Sequence, residues 1–347
     1  MINSMHSLVL LIIFIVTVGS NSALAQAVDG TEIVSSNSNY PQALAYLEQG
    51  KAMYREGDYR SAVIAYNKAL ELQDSLVEAY IQRASAKSIL EDYEGALKDY
   101  STVIKFDPNN VSAYYYRSYL KHELGFERDS SLRDINSAIE IAPGDAKLYA
   151  RRAYIKANTF DLDADKINHA SAIEDLNKAI ELDNTNPEFY RQRGFSKSQE
   201  GATLAAAADF EKAINIEPEN ADNYNERGLI RLKIEDFEGA VEDFSKAIEI
   251  RDDQEYLFRN LGLAKYNSKD FYGAIESYTK AIGIISEELR SHNFDRAYKF
   301  KLTNAYIMRG ASFVAIRKIY EACADFNKSY ELGEKRALNY LKKYCRP

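Results

Sequence analysis

The sequence predicts an all-α protein, a solenoid of about eight helix-turn-helix units closed by a short C-terminal helix. Three observations carry this: aromatic residues recur at near-constant intervals, a small residue follows each by four places, and the remaining apolar positions keep helical spacing. The aromatics are Tyr46, Tyr80, Tyr114, Tyr149, Tyr190, Tyr224, Phe258 and Tyr306, and their small partners are Gly50, Ala84, Ser118, Ala153, Gly194, Gly228, Gly262 and Gly310. Successive aromatics are 34, 34, 35, 41, 34, 34 and 48 residues apart, a unit of 34 with three insertions. A repeat of that length cannot bury its apolar face alone and stacks on its neighbours.

The first element in chain order is a leader. Residues 1–25 contain no Asp, Glu, Lys or Arg, and Leu8 to Val18 is almost wholly apolar. Gly19, Ser20 and then Ala23-Leu24-Ala25 follow. So short an apolar run, ending in a small-x-small triplet, predicts a signal peptide cleaved after Ala25. Gln26 stands where a lipoprotein anchor requires Cys. The mature chain is therefore expected to be exported, periplasmic or secreted, with no stable membrane span after cleavage. Residues 26–40, rich in Ser and Asn, predict a flexible linker up to Pro41.

The repeating units come next. Sixteen residues after most of the aromatics stands a small residue, from Ala62 and Ala96 to Ala274 and Ala322. Four further on comes Tyr66, Tyr100, Ile135, Leu176, Phe210, Phe244, Tyr278 or Phe326, and three beyond that a residue such as Ala69, Ala213 or Ala247. These intervals place each set on one helix face. Two such helices approach closely when the ring of one seats beside the Gly or Ala of the other. The six prolines (Pro41, Pro108, Pro143, Pro187, Pro218 and Pro347) fall at unit ends, a helix start or the terminus, so none interrupts a helix.

These segments resemble the tetratricopeptide repeat family over residues 43 to 336. Tyr224-Asn225-Glu226-Arg227-Gly228, Asp236-Phe237-Glu238-Gly239-Ala240 and Asp243-Phe244-Ser245-Lys246-Ala247-Ile248 are close to the family pattern. The chain departs from it in lacking Trp at the aromatic place and in carrying mostly Arg and Lys where the family prefers Leu and Tyr. The resemblance implies a right-handed superhelical solenoid over 41–347. Its repeats are expected at 43–76, 77–110, 111–145, 146–186, 187–220, 221–254, 255–288 and 303–336, with a capping helix at 337–344.

Two insertions interrupt the array. Residues 157–170 hold Asp161, Asp163 and Asp165, whose alternate spacing is similar to the start of a calcium loop. Lys166 replaces the necessary Gly and Ala172 the bidentate Glu, so the segment is expected to be an extended exposed turn. Leu289 to Leu302 has good helix formers and no proline, and is expected to lengthen two helices.

A charge pattern accompanies the repeat. Three places after the aromatic stands Arg83, Arg117, Arg152, Arg193, Arg227 or Arg309. The same six units place Asp99, Asp134, Asp175, Asp209, Asp243 or Asp325 before the bulky second-helix residue. The two units with Gln49 and Leu261 lack both. The coincidence predicts an Arg–Asp pair across each hairpin, fixing register more than adding stability.

The binding face follows from the resemblance, which implies that another first-helix stripe lines a concave groove holding a protein or extended peptide. Tyr115, Tyr116, Tyr119, Arg151, Tyr154, Arg191 and Phe195 fall on it. Tyr119, Tyr154, Phe195, Leu229 and Leu263 share one place in consecutive units and are expected to form an apolar track. Tyr, Arg and Phe are enriched at interface centres. Tyrosine faces also stack on sugars, so a cell-envelope polysaccharide is the alternative ligand, with Gln192, Asn225, Glu226, Arg259 and Asn260 as polar neighbours.

Composition excludes several other classes. The formal net charge of -8 and a pI near 5.3 oppose binding to a phosphate backbone, so no nucleic-acid partner is expected. There is no HExxH, GxSxG, Walker loop, GxGxxG or CxxC, and Glu91-Asp92 and Glu235-Asp236 sit at hairpin turns where acids favour a helix start. No enzyme activity, catalytic residue, metal or cofactor is expected. Cys323 and Cys345, the only cysteines, are expected to pair as a disulfide in an exported chain.

Overall fold

The computed structural model describes residues 39–125, 128–158, 160–161, 166–291 and 296–345. The expected leader and nearly all of the linker lie outside these residues. The described chain is all-α apart from one small hairpin, and it divides within one helix, after Ile155, into two compact units.

The N-terminal unit runs through α1 (Tyr40–Arg55), α2 (Tyr59–Leu72), α3 (Val77–Ile89), α4 (Tyr93–Phe106), α5 (Val111–Glu123), α6 (Arg128–Ile141) and most of α7 (Ala146–Asn158). The C-terminal unit continues with β1 (Phe160–Asp161), β2 (Lys166–Ile167), α8 (His169–Leu182), α9 (Pro187–Gln199), α10 (Thr203–Ile216), α11 (Ala221–Lys233), α12 (Phe237–Ile250), α13 (Glu255–Asn267), α14 (Phe271–Ser291), α15 (Arg296–Ala315), α16 (Ile319–Glu331) and α17 (Ala337–Tyr344). Within each unit, successive helices pack on one another.

Local sequence sets the helix ends. Side chains of Asp58, Asp92, Asn168 and Asp236 accept the backbone N–H of the residue three places on, which caps the second helices. Asn110 caps a first helix in the same way, Asn186 and Asn220 cap theirs by accepting the N–H two places on, and Pro41 and Pro187 occupy a first turn. Tight hairpin turns need a left-handed residue. Gly57, Gly125 and Gly201 supply it without strain, whereas Glu91, Glu235, Lys269 and Arg317 hold φ of 61° to 69° despite their side chains.

Inside each hairpin the bulky second-helix residue fills the space left by the small first-helix residue. A Cβ added at Gly228 would lie 2.8 Å from the Phe244 ring, and one at Gly50 would lie 2.5 Å from Tyr66. Gly194, Gly262 and Gly310 face Phe210, Tyr278 and Phe326 in the same manner. Ser118 is tolerated where the partner is the smaller Ile135, both fully buried.

The insertion at 157–170 is not simply an extended turn. Phe160 pairs antiparallel with Ile167 and Asp161 with Lys166, forming a two-stranded hairpin. Asp163 and Asp165, two of the three alternating aspartates, lie outside the described residues. The second insertion extends α14 and α15 to 21 and 20 residues, against 13 in α13. Ile285, Leu289, Leu302 and Ala305 bury one another there, beneath Tyr298.

At the C-terminal end, Ala337 is fully buried, and Phe326 stacks on Tyr340 at 4.9 Å and on Tyr344 at 6.4 Å. A disulfide joins Cys323 of α16 to Cys345, with the Cα atoms 5.7 Å apart. Among the described residues no helix is long and apolar enough to cross a membrane.

Candidate partner-binding face

The first helices carry two stripes, one turned to their own hairpin and one facing away from it. On the inward stripe Arg83, Arg117, Arg193, Arg227 and Arg309 each engage both oxygens of their aspartate. Arg83 donates through Nε and Nη2 to Asp99 at 2.8 and 2.6 Å, and Arg117 to Asp134 at 2.9 and 2.6 Å. Arg193–Asp209, Arg227–Asp243 and Arg309–Asp325 repeat this fork, each with a closest contact of 2.7 Å. The aspartates are buried, so the bidentate geometry satisfies carboxylates that water does not reach.

Two further partners were not read from the sequence. A second cation four residues along the first helix reaches the same aspartate: Lys87 to Asp99, Lys121 to Asp134, Lys156 to Asp175, Lys197 to Asp209 and Arg231 to Asp243, at 2.7 to 3.1 Å. The free arginine nitrogen reaches back to the preceding hairpin, Arg83 to Asn67, Arg117 to Ser101, Arg152 to Asn136 and Arg193 to Asn177, at 2.7 to 3.1 Å. Each of these polar residues directly follows the bulky second-helix position, a regularity visible in the sequence. The arginines therefore tie adjacent hairpins together as well as closing their own.

The outward stripe of the N-terminal unit is aromatic but largely occupied by its own contacts. Tyr116 stacks on Tyr100 at 5.8 Å and meets the edge of Tyr115 at 5.3 Å. Arg151, expected to reach a partner, is instead 8% exposed. Its guanidinium lies 4.5 Å from the Tyr119 ring centre and 5.1 Å from that of Tyr154, donates to the Tyr119 carbonyl, and sits 3.7 Å from Glu123. Two tyrosine faces thus hold the arginine inside the unit. His122 meets Tyr154 edge-on at 5.4 Å, and burial, reinforced by the Arg151 charge, lowers its pKa to about 4. That imidazole is neutral at physiological pH.

The outward stripe of the C-terminal unit is more open. Phe195 is 47% exposed, with His169 edge-on at 6.0 Å. Phe195, Leu229, Leu232, Ile230 and Phe210 line a pocket of about 380 Å³, with Glu226, Lys233, Ser198 and Gln199 as its polar members. Arg191, beside it in sequence, is held by Glu188 and Glu217 at 2.7 and 2.6 Å. Asn260 donates to the Asn225 side chain at 2.9 Å, and Asn225 donates to Glu226 at 3.1 Å.

Arrays of capped helical hairpins with a ring-on-glycine core define a class of helical repeat protein. Residues 43–75 and 221–254 match the tetratricopeptide repeat, and residues 89–125 match a TPR repeat. Those three segments are tetratricopeptide repeats. Among solved structures, that of PilW, described as a widely conserved type IV pilus biogenesis factor, is similar over 67% of this chain and 98% of its own, with 16% identity and a TM-score of 0.52. Pseudomonas aeruginosa PilF covers 62% of this chain and 94% of its own at 16% identity and a TM-score of 0.51. A tetratricopeptide repeat protein from Parabacteroides merdae covers 88% of this chain and 98% of its own at 16% identity and a TM-score of 0.49. At such identities the likeness to PilW and PilF is one of fold. No curated protein matches the chain.

Proposed function

We propose that this protein is a non-enzymatic scaffold that binds a partner protein or an extended peptide along the outward face of its first helices, outside the cytoplasm. The observation that carries this is the division of labour between the two stripes. The inward cations are consumed by buried aspartates, while Phe195, Leu229 and Leu232 line a pocket with a largely apolar wall. Aromatic and apolar groups around a pocket supply most of the free energy at protein interfaces.

The protein reading is favoured over polysaccharide by the tyrosines of the N-terminal unit. A sugar needs a free ring face, and one face of Tyr116 is turned to Tyr100 while one face each of Tyr119 and Tyr154 is turned to Arg151. Tyr115, Tyr116, Tyr119 and Tyr154 are therefore assigned to contacts at ring edges, with Arg151 holding the rings in place, and Arg191 and Phe195 to contacts in the other unit. Export is supported by the leader and by a Cys323–Cys345 bridge, which persists in oxidising compartments.

The test uses the mature protein as bait for peptides from a random display library, alongside the double variants Tyr119→Ala/Tyr154→Ala and Phe195→Ala/Leu229→Ala. Loss of the selected peptides by either variant, with the helical circular dichroism unchanged, supports the assignment. Selected peptides that bind wild type and both variants equally would place the site elsewhere.

A further inference from the structure

The pocket between α9 and α11 combines an apolar wall with a carboxylate that lacks a counter-charge. Other carboxylates on the first helices of this unit have cations: Glu188 pairs with Arg191, Asp222 with Arg251, and Glu255 with both Arg259 and Lys301. Glu226 differs. Among the described residues no cation lies within ion-pair distance of it, and its hydrogen-bond donor is the neutral amide of Asn225. Lys233, the cation at the other end of the pocket, is turned to Ser198 at 3.0 Å.

A half-buried, unneutralised carboxylate is costly to the free protein. Burial raises the pKa of Glu226 above its ordinary value and Asp222 adds to that shift, while the Asn225 hydrogen bond and the Lys233 charge oppose it. The sign follows from linkage. A carboxyl whose folded pKa is raised contributes stability below its unfolded pKa, about 4.3, and loses it as pH rises through the folded value. At neutral pH Glu226 is therefore a liability in the unliganded state, and a bound cation relieves it.

Resting on the reading of this face as partner-binding, we propose that the pocket docks an extended partner segment carrying Arg or Lys two places from Leu, Ile or Phe. The apolar side chain fills the space between Phe195 and Leu229, and the cation pairs with Glu226. Spacing sets the register. Glu226 and Leu229 are three apart on one helix, roughly 5–6 Å between Cβ atoms. Alternate side chains of an extended chain stand on one side about 6.6 Å apart, so the two contacts fall at i and i+2. The acidic net charge of -8 favours approach of such a segment.

The experiment measures fluorescence anisotropy of labelled synthetic peptides that differ only in one tripeptide, Lys-Ser-Phe, Glu-Ser-Phe or Lys-Ser-Ser, against the mature protein. The expected result is binding of Lys-Ser-Phe, with each of the others weaker on the order of tenfold or more. Glu226→Gln is expected to weaken Lys-Ser-Phe on the order of tenfold while raising the melting midpoint of the free protein at pH 7. Glu226→Lys is expected to invert the preference toward Glu-Ser-Phe. Those paired effects separate a ligand site from a merely structural acid, whose loss would lower stability. Equal binding of the Lys and Glu peptides, or an unchanged preference in Glu226→Lys, overturns the charge selection. If the equal binding is still lost in Phe195→Ala/Leu229→Ala, the partner-binding face stands and only the cation requirement falls. Absence of binding by any of these peptides, with library-selected peptides indifferent to the same double variant, overturns both.

Discussion

Gly228 shows how a single residue type encodes the packing of a hairpin. It lies where a Cβ would meet the buried Phe244 ring at 2.8 Å, so Gly228→Ala is expected to destabilise by about 1–3 kcal/mol through overpacking, offset by about 1 kcal/mol of helix propensity. Urea denaturation checks this, and Phe244→Leu in the same chain is expected to rescue part of the loss, as the Ser118 and Ile135 combination suggests. The ladder arginines make the second expectation at this scale. Arg227→Ala leaves Asp243 with Arg231 alone and is expected to cost about 2 kcal/mol, with a coupling of about 1–3 kcal/mol to Asp243→Ala in a double-mutant cycle. Zero coupling would mean that the two side chains act independently. The Arg and Asp positions were legible because presence and absence coincide across units. The second cation was visible only as a departure from the family pattern, since a Lys four residues on reads equally well as a solvated helix face until the buried Asp is placed.

Helices were the most legible elements, because ring-to-glycine spacing, Asn and Asp caps and prolines at boundaries all agree. Turns were half legible. Gly57, Gly125 and Gly201 mark a left-handed residue, but Glu91, Glu235, Lys269 and Arg317 hold the same conformation with no sequence signal. Neighbouring helices impose it on them. Arg317→Gly is accordingly expected to stabilise the last hairpin by about 1 kcal/mol, since glycine adopts positive φ without the side-chain penalty. A fall in the thermal midpoint would show that the Arg317 side chain contributes more than its backbone costs. The insertion at 157–170, expected to be an extended exposed turn, holds a pairing of Phe160–Asp161 with Lys166–Ile167, and strands of two residues are too short to leave a period in the sequence. Arg151 shows a related limit of helical periodicity. Helical periodicity puts it on the outward stripe, but only the three-dimensional neighbours Tyr119, Tyr154 and Glu123 reveal that it is held inside.

At the scale of the molecule, the proposed function rests on the outward face of the first helices, where Phe195, Leu229 and Leu232 line a pocket. The 34-residue period identified the repeats but says little about what they bind, because the outward stripe is free to vary without disturbing the hairpin core. A methyl NMR titration with a library-selected peptide tests the central claim most directly. The outward face of α11 should respond, with the Leu229 and Leu232 methyls shifting while exposed Leu204 and Ile319 on second helices stay unchanged. Shifts confined to Leu204 and Ile319, with Leu229 and Leu232 unmoved, would contradict it.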